Sequence, residues 1–133
     1  GAVSLLERLR PQFQVVILSD AFYELATPLM GLLGWPTLLC HRLEIEQGRM
    51  VGYHLRQEDP KRRAVSAFQN LNLKVIAAGD SHNDISMLTE ADAGILFRPP
   101  EHMIAEYSQF PVTHDHPKLG DAIEAAGRRL SMV

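Results

Sequence analysis

The apolar positions of this chain change their period several times, and each change marks an element. Val3, Leu5, Leu6 and Leu9 fall at helical spacing from the first residues, so the sequence is expected to open inside or at the edge of a helix. Pro11 breaks that pattern, and Phe13-Gln14-Val15-Val16-Ile17-Leu18 reads as a buried strand ending at Ser19-Asp20. Phe22, Leu25, Ala26, Leu29 and Leu33 return to helical spacing and stop at Gly34, while Pro28 inside that span predicts a kink or two shorter helices. Alternation follows. Leu39, His41, Leu43 and Ile45 share one face of a first segment, and Val51, Tyr53 and Leu55 share one face of a second. Gln47-Gly48-Arg49 between them predicts a β-hairpin.

Asp59-Pro60 starts a helix through Val65, Phe68 and Leu71, with Pro60 at or near its first position. Lys74 to Ala78 is the next strand, Ile85 to Ala91 a short helix, and Ala93 to Phe97 a strand closed by Pro99-Pro100. Glu101 to Tyr107 is expected as a short helix, Phe110 to Thr113 as a weak strand, and Lys118 to Leu130 as a final helix. Strands alternating with helices predict one α/β domain over residues 1–133, a parallel sheet with helices on both faces and the hairpin as an insertion. Right-handed crossovers then place Ser19 and Asp80 at the same sheet edge.

Composition narrows the function classes. A net charge of −3 supplies no basic field for nucleic acid, and no apolar run approaches the ~18 residues of a membrane span. The single cysteine, Cys40, cannot form an internal disulfide, which fits a reducing cytoplasm, and its apolar neighbours Leu38 and Leu39 favour packing over nucleophilic chemistry.

The chemistry concentrates where strands end. Val75-Ile76-Ala77-Ala78-Gly79 runs into Asp80-Ser81-His82-Asn83-Asp84, two carboxylates four apart. In a parallel sheet, ligands bind at the carboxyl ends of strands, and an Asp emerging there suits a hard cation. The competing reading is a strand-to-helix turn in which Asp80 or Asn83 caps the helix near Ile85. Ser19 ends another strand, where its hydroxyl and the following N–H groups can hold an anion or simply cap a helix. Lys61 lies in the first turn of a helix, where a cation opposes the helix dipole, so a phosphate or a carboxylate such as Asp84 is the expected partner. In this order, Ser, Lys and Gly-Asp-x-x-Asn-Asp describe phosphoryl chemistry: donors for the transferring oxygens, a cation, and carboxylates for Mg²⁺. His114-Asp115-His116 has the look of a metal pair but sits in a Pro-flanked loop, where solvation is the expected role.

These motifs resemble the haloacid dehalogenase (HAD) superfamily of phosphohydrolases, and within it the phosphoserine phosphatase branch. Val15-Val16-Ile17-Leu18-Ser19-Asp20 is similar to its second motif, Asp59-Pro60-Lys61-Arg62 to its third, and Gly79 to Asp84 to its fourth. The hairpin from Leu39 to Gln57, with Cys40-His41 and Ala93 to Phe97, resembles the bacterial members that also transfer phosphate to homoserine. The resemblance implies a HAD-like Rossmannoid core in which Ser19 binds the phosphoryl oxygens, Lys61 neutralises them, and Asp80 binds Mg²⁺. Asn83 would support the phosphate, Asp84 would support Lys61, and Asp20 would stand beside the substrate where many members have Gly. It implies a cytoplasmic Mg²⁺-dependent phosphoserine phosphatase. The family's first motif, an Asp-x-Asp at the end of the central strand, carries the nucleophile and general acid/base, and no Asp-x-Asp follows a strand here. The resemblance thus implies that the first strand, the nucleophile and most of a helical cap lie outside this chain, which would be inactive alone. Its exposed strand edges would close on each other or be covered in a homodimer. The alternatives are a catalytically inactive phosphate-binding or protein-interaction module, and a response-regulator-like domain, whose acidic cluster should instead follow the first strand.

Overall fold

Helix α1 (Ala2–Leu9) carries the opening apolar stripe and buries Leu6 and Leu9 before the chain turns at Pro11 into strand β1 (Val16–Phe22). The computed structural model describes residues 1–132, which separate into two compact units: one from Ala2 to Pro60, the other from Lys61 onward together with Gly1.

In the first unit, Val16, Ile17 and Leu18 pair in parallel with Thr37, Leu38 and Leu39 of β2 (Thr37–Glu46). The ladder then slips, because its next partners are Phe22 and His41. Ser19, Asp20 and Ala21 therefore stand opposite Cys40 alone, an irregularity that bends the strand end and re-aims its side chains. Helix α2 (Tyr23–Leu32) tolerates Pro28 without dividing, and it ends where Gly34 takes φ +75°. The second half of β2 pairs antiparallel with β3 (Arg49–His54). Gln47 and Gly48 join them at φ 50° and 75°, the paired left-handed conformation of a two-residue hairpin turn. The hairpin is thus an extension of a strand that also belongs to the parallel ladder.

The second unit begins inside α3 (Pro60–Asn70), at Lys61, directly after the helix's first residue Pro60. Strands β4 (Ile76–Gly79), β5 (Ala93–Phe97) and β6 (Val112–Thr113) form a parallel sheet in that order. Helices α4 (Ile85–Glu90), α5 (Glu101–Glu106) and α6 (His116–Arg129) alternate with the strands. Val65, Leu88, Ile95, Leu96 and Met103 are almost fully buried and make the core. Asp115 accepts the Lys118 N–H at 2.7 Å, so the acid of His114-Asp115-His116 is a helix N-cap and α6 begins two residues before Lys118.

The α/β class and parallel pairing agree with the sequence pattern. Among the described residues the six strands lie in two three-stranded sheets, β1-β2-β3 in the first unit and β4-β5-β6 in the second. β1 and β4 are each the outer strand of their sheet, with a ladder on one side only. Val16, Ile17, Leu18 and Ile76 are accordingly half-buried where full burial was expected. No helix among the described residues is long and apolar enough to cross a membrane.

Candidate active site

The turn after β4 is built around Asp84. Gly79 ends the strand, and a Cβ there would lie 2.6 Å from the Asp84 carboxyl, so glycine provides the space into which the acid folds back. Asp84 Oδ2 accepts N–H groups from Asp80 at 2.9 Å and Ser81 at 3.2 Å. The Ser81 side chain accepts the Asp84 N–H while the Asp84 carboxylate accepts the Ser81 N–H, a capping box around the 3₁₀ turn His82–Asp84; the Ser81 hydroxyl also bonds to the Asn83 side chain and approaches Asp84 Oδ2. Asp84 Oδ1 accepts from Lys61 Nζ at 2.6 Å, with the two side chains 6% and 14% exposed. Burial pushes the Asp84 carboxyl up, but the Lys61 ammonium and the N–H groups of Asp80 and Ser81 outweigh it and hold the pKa below its ordinary 3.8. The first-turn lysine has the carboxylate partner that its position called for.

Asp84 is therefore the inward anchor of the turn, and Asp80 its outward face. The Asp80 side chain is exposed, while its own N–H is fixed on Asp84. Neither Asp80 nor Asn83 caps α4: its N-cap position is Asp84, and Ser81 caps the 3₁₀ turn before it, a signal present in the spacing of Ser81 to Asp84. His82, which sequence reasoning left unassigned, lies over His102 with ring centroids 5.3 Å apart and hydrogen-bonds Tyr107 at 3.1 Å. As a cation site, the turn offers one hard oxygen donor of the right kind, because both Asp84 oxygens are engaged. Among the described residues no group of three His, Cys, Asp or Glu side chains is arranged to hold a metal ion. Asp80 suits Mg²⁺ as a ligand, but these residues do not complete a Mg²⁺ site.

Ser19 and Asp20 lie at the irregular end of β1, in the first unit. Ser19 Oγ accepts the Ala21 N–H at 3.0 Å, which leaves its own O–H proton as a donor for an anion. Asp20 faces a buried histidine of β2, His41, with Oδ1 to Nε2 at 3.7 Å. Lys61, Asp80, Asn83 and Asp84 thus belong to one unit, Ser19 and Asp20 to the other.

Residues 1–89, which contain every one of these positions, match the family model of haloacid dehalogenase-like hydrolases, and the chain belongs to that family. Among characterised relatives, it is 57% identical over 134 residues to phosphoserine phosphatase ThrH of Pseudomonas aeruginosa, covering 99% of this chain and 65% of that protein. It is 55% identical over 132 residues to a phosphoserine phosphatase of Pseudomonas syringae, covering 98% of this chain and 56% of the relative. The chain thus spans less than two thirds of the length of these two relatives. A crystal structure of phosphoserine phosphatase from T. onnurineus superposes with a TM-score of 0.69 at 28% identity, over 91% of this chain and 56% of that one.

Proposed function

We propose that this chain is the phosphate- and metal-binding portion of a Mg²⁺-dependent phosphoserine phosphatase, acting on O-phosphoserine in the cytoplasm and able to pass the phosphoryl group to homoserine. The observation that carries this reading is the Lys61–Asp84 pair beneath an exposed Asp80, in a chain 57% identical to a phosphoserine phosphatase. Ser19 donates its hydroxyl proton to a phosphoryl oxygen, Lys61 balances the charge of the phosphoryl group, and Asn83 supports the same oxygens. Asp84 keeps the Lys61 ammonium in place. Asp80 contributes one oxygen to Mg²⁺, whose bound form would offset the negative charge of the transferring group. In this reading residues 1–133 form one HAD-like core domain.

Covalent phosphoryl transfer also needs a carboxylate nucleophile, and no Asp-x-Asp occurs in these 133 residues. We therefore place the nucleophile on sequence outside them. The same observation favours the second reading, an inactive phosphate-binding module, if the encoded protein has no such carboxylate. The test assays phosphate release from O-phosphoserine with Mg²⁺ by the 133-residue chain and by the protein at its full encoded length. The expected result is no turnover by the chain alone and turnover at full length, lowered at least about tenfold by Ser19→Ala or Lys61→Ala. Phosphate binding without turnover at full length would select the inactive module. Enzyme-like turnover by the 133 residues alone, abolished by Ser19→Ala, would show that the nucleophile has been misplaced.

A further inference from the structure

His41 is buried, 5% exposed, and has no role in the chemistry described above. Its Nδ1 accepts the Arg56 N–H at 2.9 Å, so the ring proton sits on Nε2. Nε2 faces Asp20 Oδ1 at 3.7 Å. Phe22, the ladder partner of His41, lies beside the ring with centroids 6.3 Å apart. A histidine on β2, fixed at one nitrogen by the backbone just beyond β3, thus presents its N–H to the acid that follows Ser19.

Asp20 occupies a chemically awkward position. Its Cα is about 3.8 Å from that of Ser19, so a phosphoryl group held by Ser19 lies within a few ångströms of a second negative charge. Regular strand alternation would send the two side chains to opposite faces, but the ladder slips at this point, with three residues of β1 opposite Cys40. The oriented imidazole on β2 is a group placed to influence where the carboxylate goes.

We propose that His41 is a positioning residue that draws the Asp20 carboxylate toward β2. The strand end can then offer the Ser19 hydroxyl and neighbouring N–H groups to a phosphate monoester without an opposing charge. The inference rests on the phosphate-site reading of Ser19. It makes His41 the partner that allows an aspartate next to the phosphate-binding serine.

The test measures inorganic phosphate affinity by calorimetry on the protein at its full encoded length. In His41→Asn the amide oxygen can still accept the Arg56 N–H, while the donor facing Asp20 is lost. Affinity should fall about tenfold, and adding Asp20→Asn in that background should bring it back to within about threefold of the parent. A histidine that served only packing would give a loss that removing the acid's charge does not repair. If Ser19→Ala leaves phosphate affinity unchanged, or the parent binds no phosphate, the phosphate-site reading fails and takes this inference with it. If Ser19→Ala weakens binding but His41→Asn does not, or the double variant stays as weak as His41→Asn, this inference alone is overturned. Should His41→Asn fail to fold, ¹⁵N spectra of the parent decide: a His41 ring protonated on Nε2 supports the assignment, and one protonated on Nδ1 overturns it.

Discussion

Replacing Asp84 by Asn removes one negative charge and almost no volume, so it isolates what the carboxylate does. Four donors reach it: Lys61 Nζ at 2.6 Å, the N–H groups of Asp80 and Ser81 at 2.9 and 3.2 Å, and the Ser81 hydroxyl at 3.3 Å. An amide has one acceptor oxygen. If that oxygen turns to Lys61, the NH₂ group confronts two N–H donors, and if it turns to the N–H groups, the NH₂ confronts an ammonium. The first arrangement weakens a charge-assisted bond and orphans two part-buried donors, each step worth about 1–3 kcal/mol. Breaking a buried ion pair from one side costs about 3–5 kcal/mol by the same logic. A loss near the lower end, about 3 kcal/mol, is expected because Lys61 keeps some solvent access. With a urea slope of about 1.5 kcal/mol per molar for a chain of this size, the midpoint should fall by about 2 M. Urea melts followed by circular dichroism measure this, with Asp80→Asn as control: its side chain is exposed and its midpoint should move by less than about 0.5 M. A shift for Asp84→Asn as small as that of the control would refute the view that this carboxylate organises the turn.

The pH dependence of the same pair has a defined sign. The folded pKa of Asp84 is depressed, so its contribution is fully present above the unfolded value of about 3.9 and is lost as pH falls through the folded value. The stability difference between parent and Asp84→Asn should be flat from about pH 5 to 7 and shrink below about pH 4, read from melts at each pH. Gly79→Ala would put a methyl 2.6 Å from the Asp84 carboxyl carbon and should cost about 1–3 kcal/mol in the same melts. Gly94→Ala should cost at least as much, because its methyl meets the Leu88 carbonyl oxygen at 2.7 Å and backbone cannot swing aside. At full length, Asp80→Asn should raise the Mg²⁺ concentration needed for half-maximal turnover and lower the rate at least about tenfold. Unchanged Mg²⁺ dependence would remove Asp80 from the ligand set.

The parts of this structure legible in the sequence are those written in local periodicity. The hairpin was visible because alternation and a Gly-containing turn sit within twenty residues, and β5 because Ala93 to Phe97 is apolar throughout. The Lys61–Asp84 pair was legible for a different reason: a cation in the first turn of a helix is unfavourable unless something compensates it, and the carboxylate-rich turn was the obvious source. The division into two sheets was not legible, since pairing partners depend on which strands are available and periodicity reports only that a strand exists. For the same reason an apolar run such as Val15 to Leu18 does not by itself show whether its strand is fully or only half buried. The slip between Leu18 and Phe22 carries no apolar signal at all, because Ser19-Asp20-Ala21 reads equally well as a strand end or a loop. In the sequence His41 is one of four alternating positions, Leu39 to Ile45, that share a face of the hairpin. Its link to Asp20 arises only because β2 pairs in parallel with β1 before it turns into the hairpin, a long-range register that no single segment encodes.

The outer position of β1 and β4 sets a clock on their amides. In a parallel ladder, successive residues direct their N–H groups to opposite sides, so alternate amides of these two strands point away from their own sheet, whereas β5 has a neighbour on each side. Solvent deuterium should therefore enter β1 and β4 in a two-residue rhythm, with every second site exchanging at loop-like rates and the intervening ones far more slowly. The amides of β5 should exchange late as a block. Any strand that docks along either outer edge would erase the rhythm there first, before secondary-structure content changed measurably.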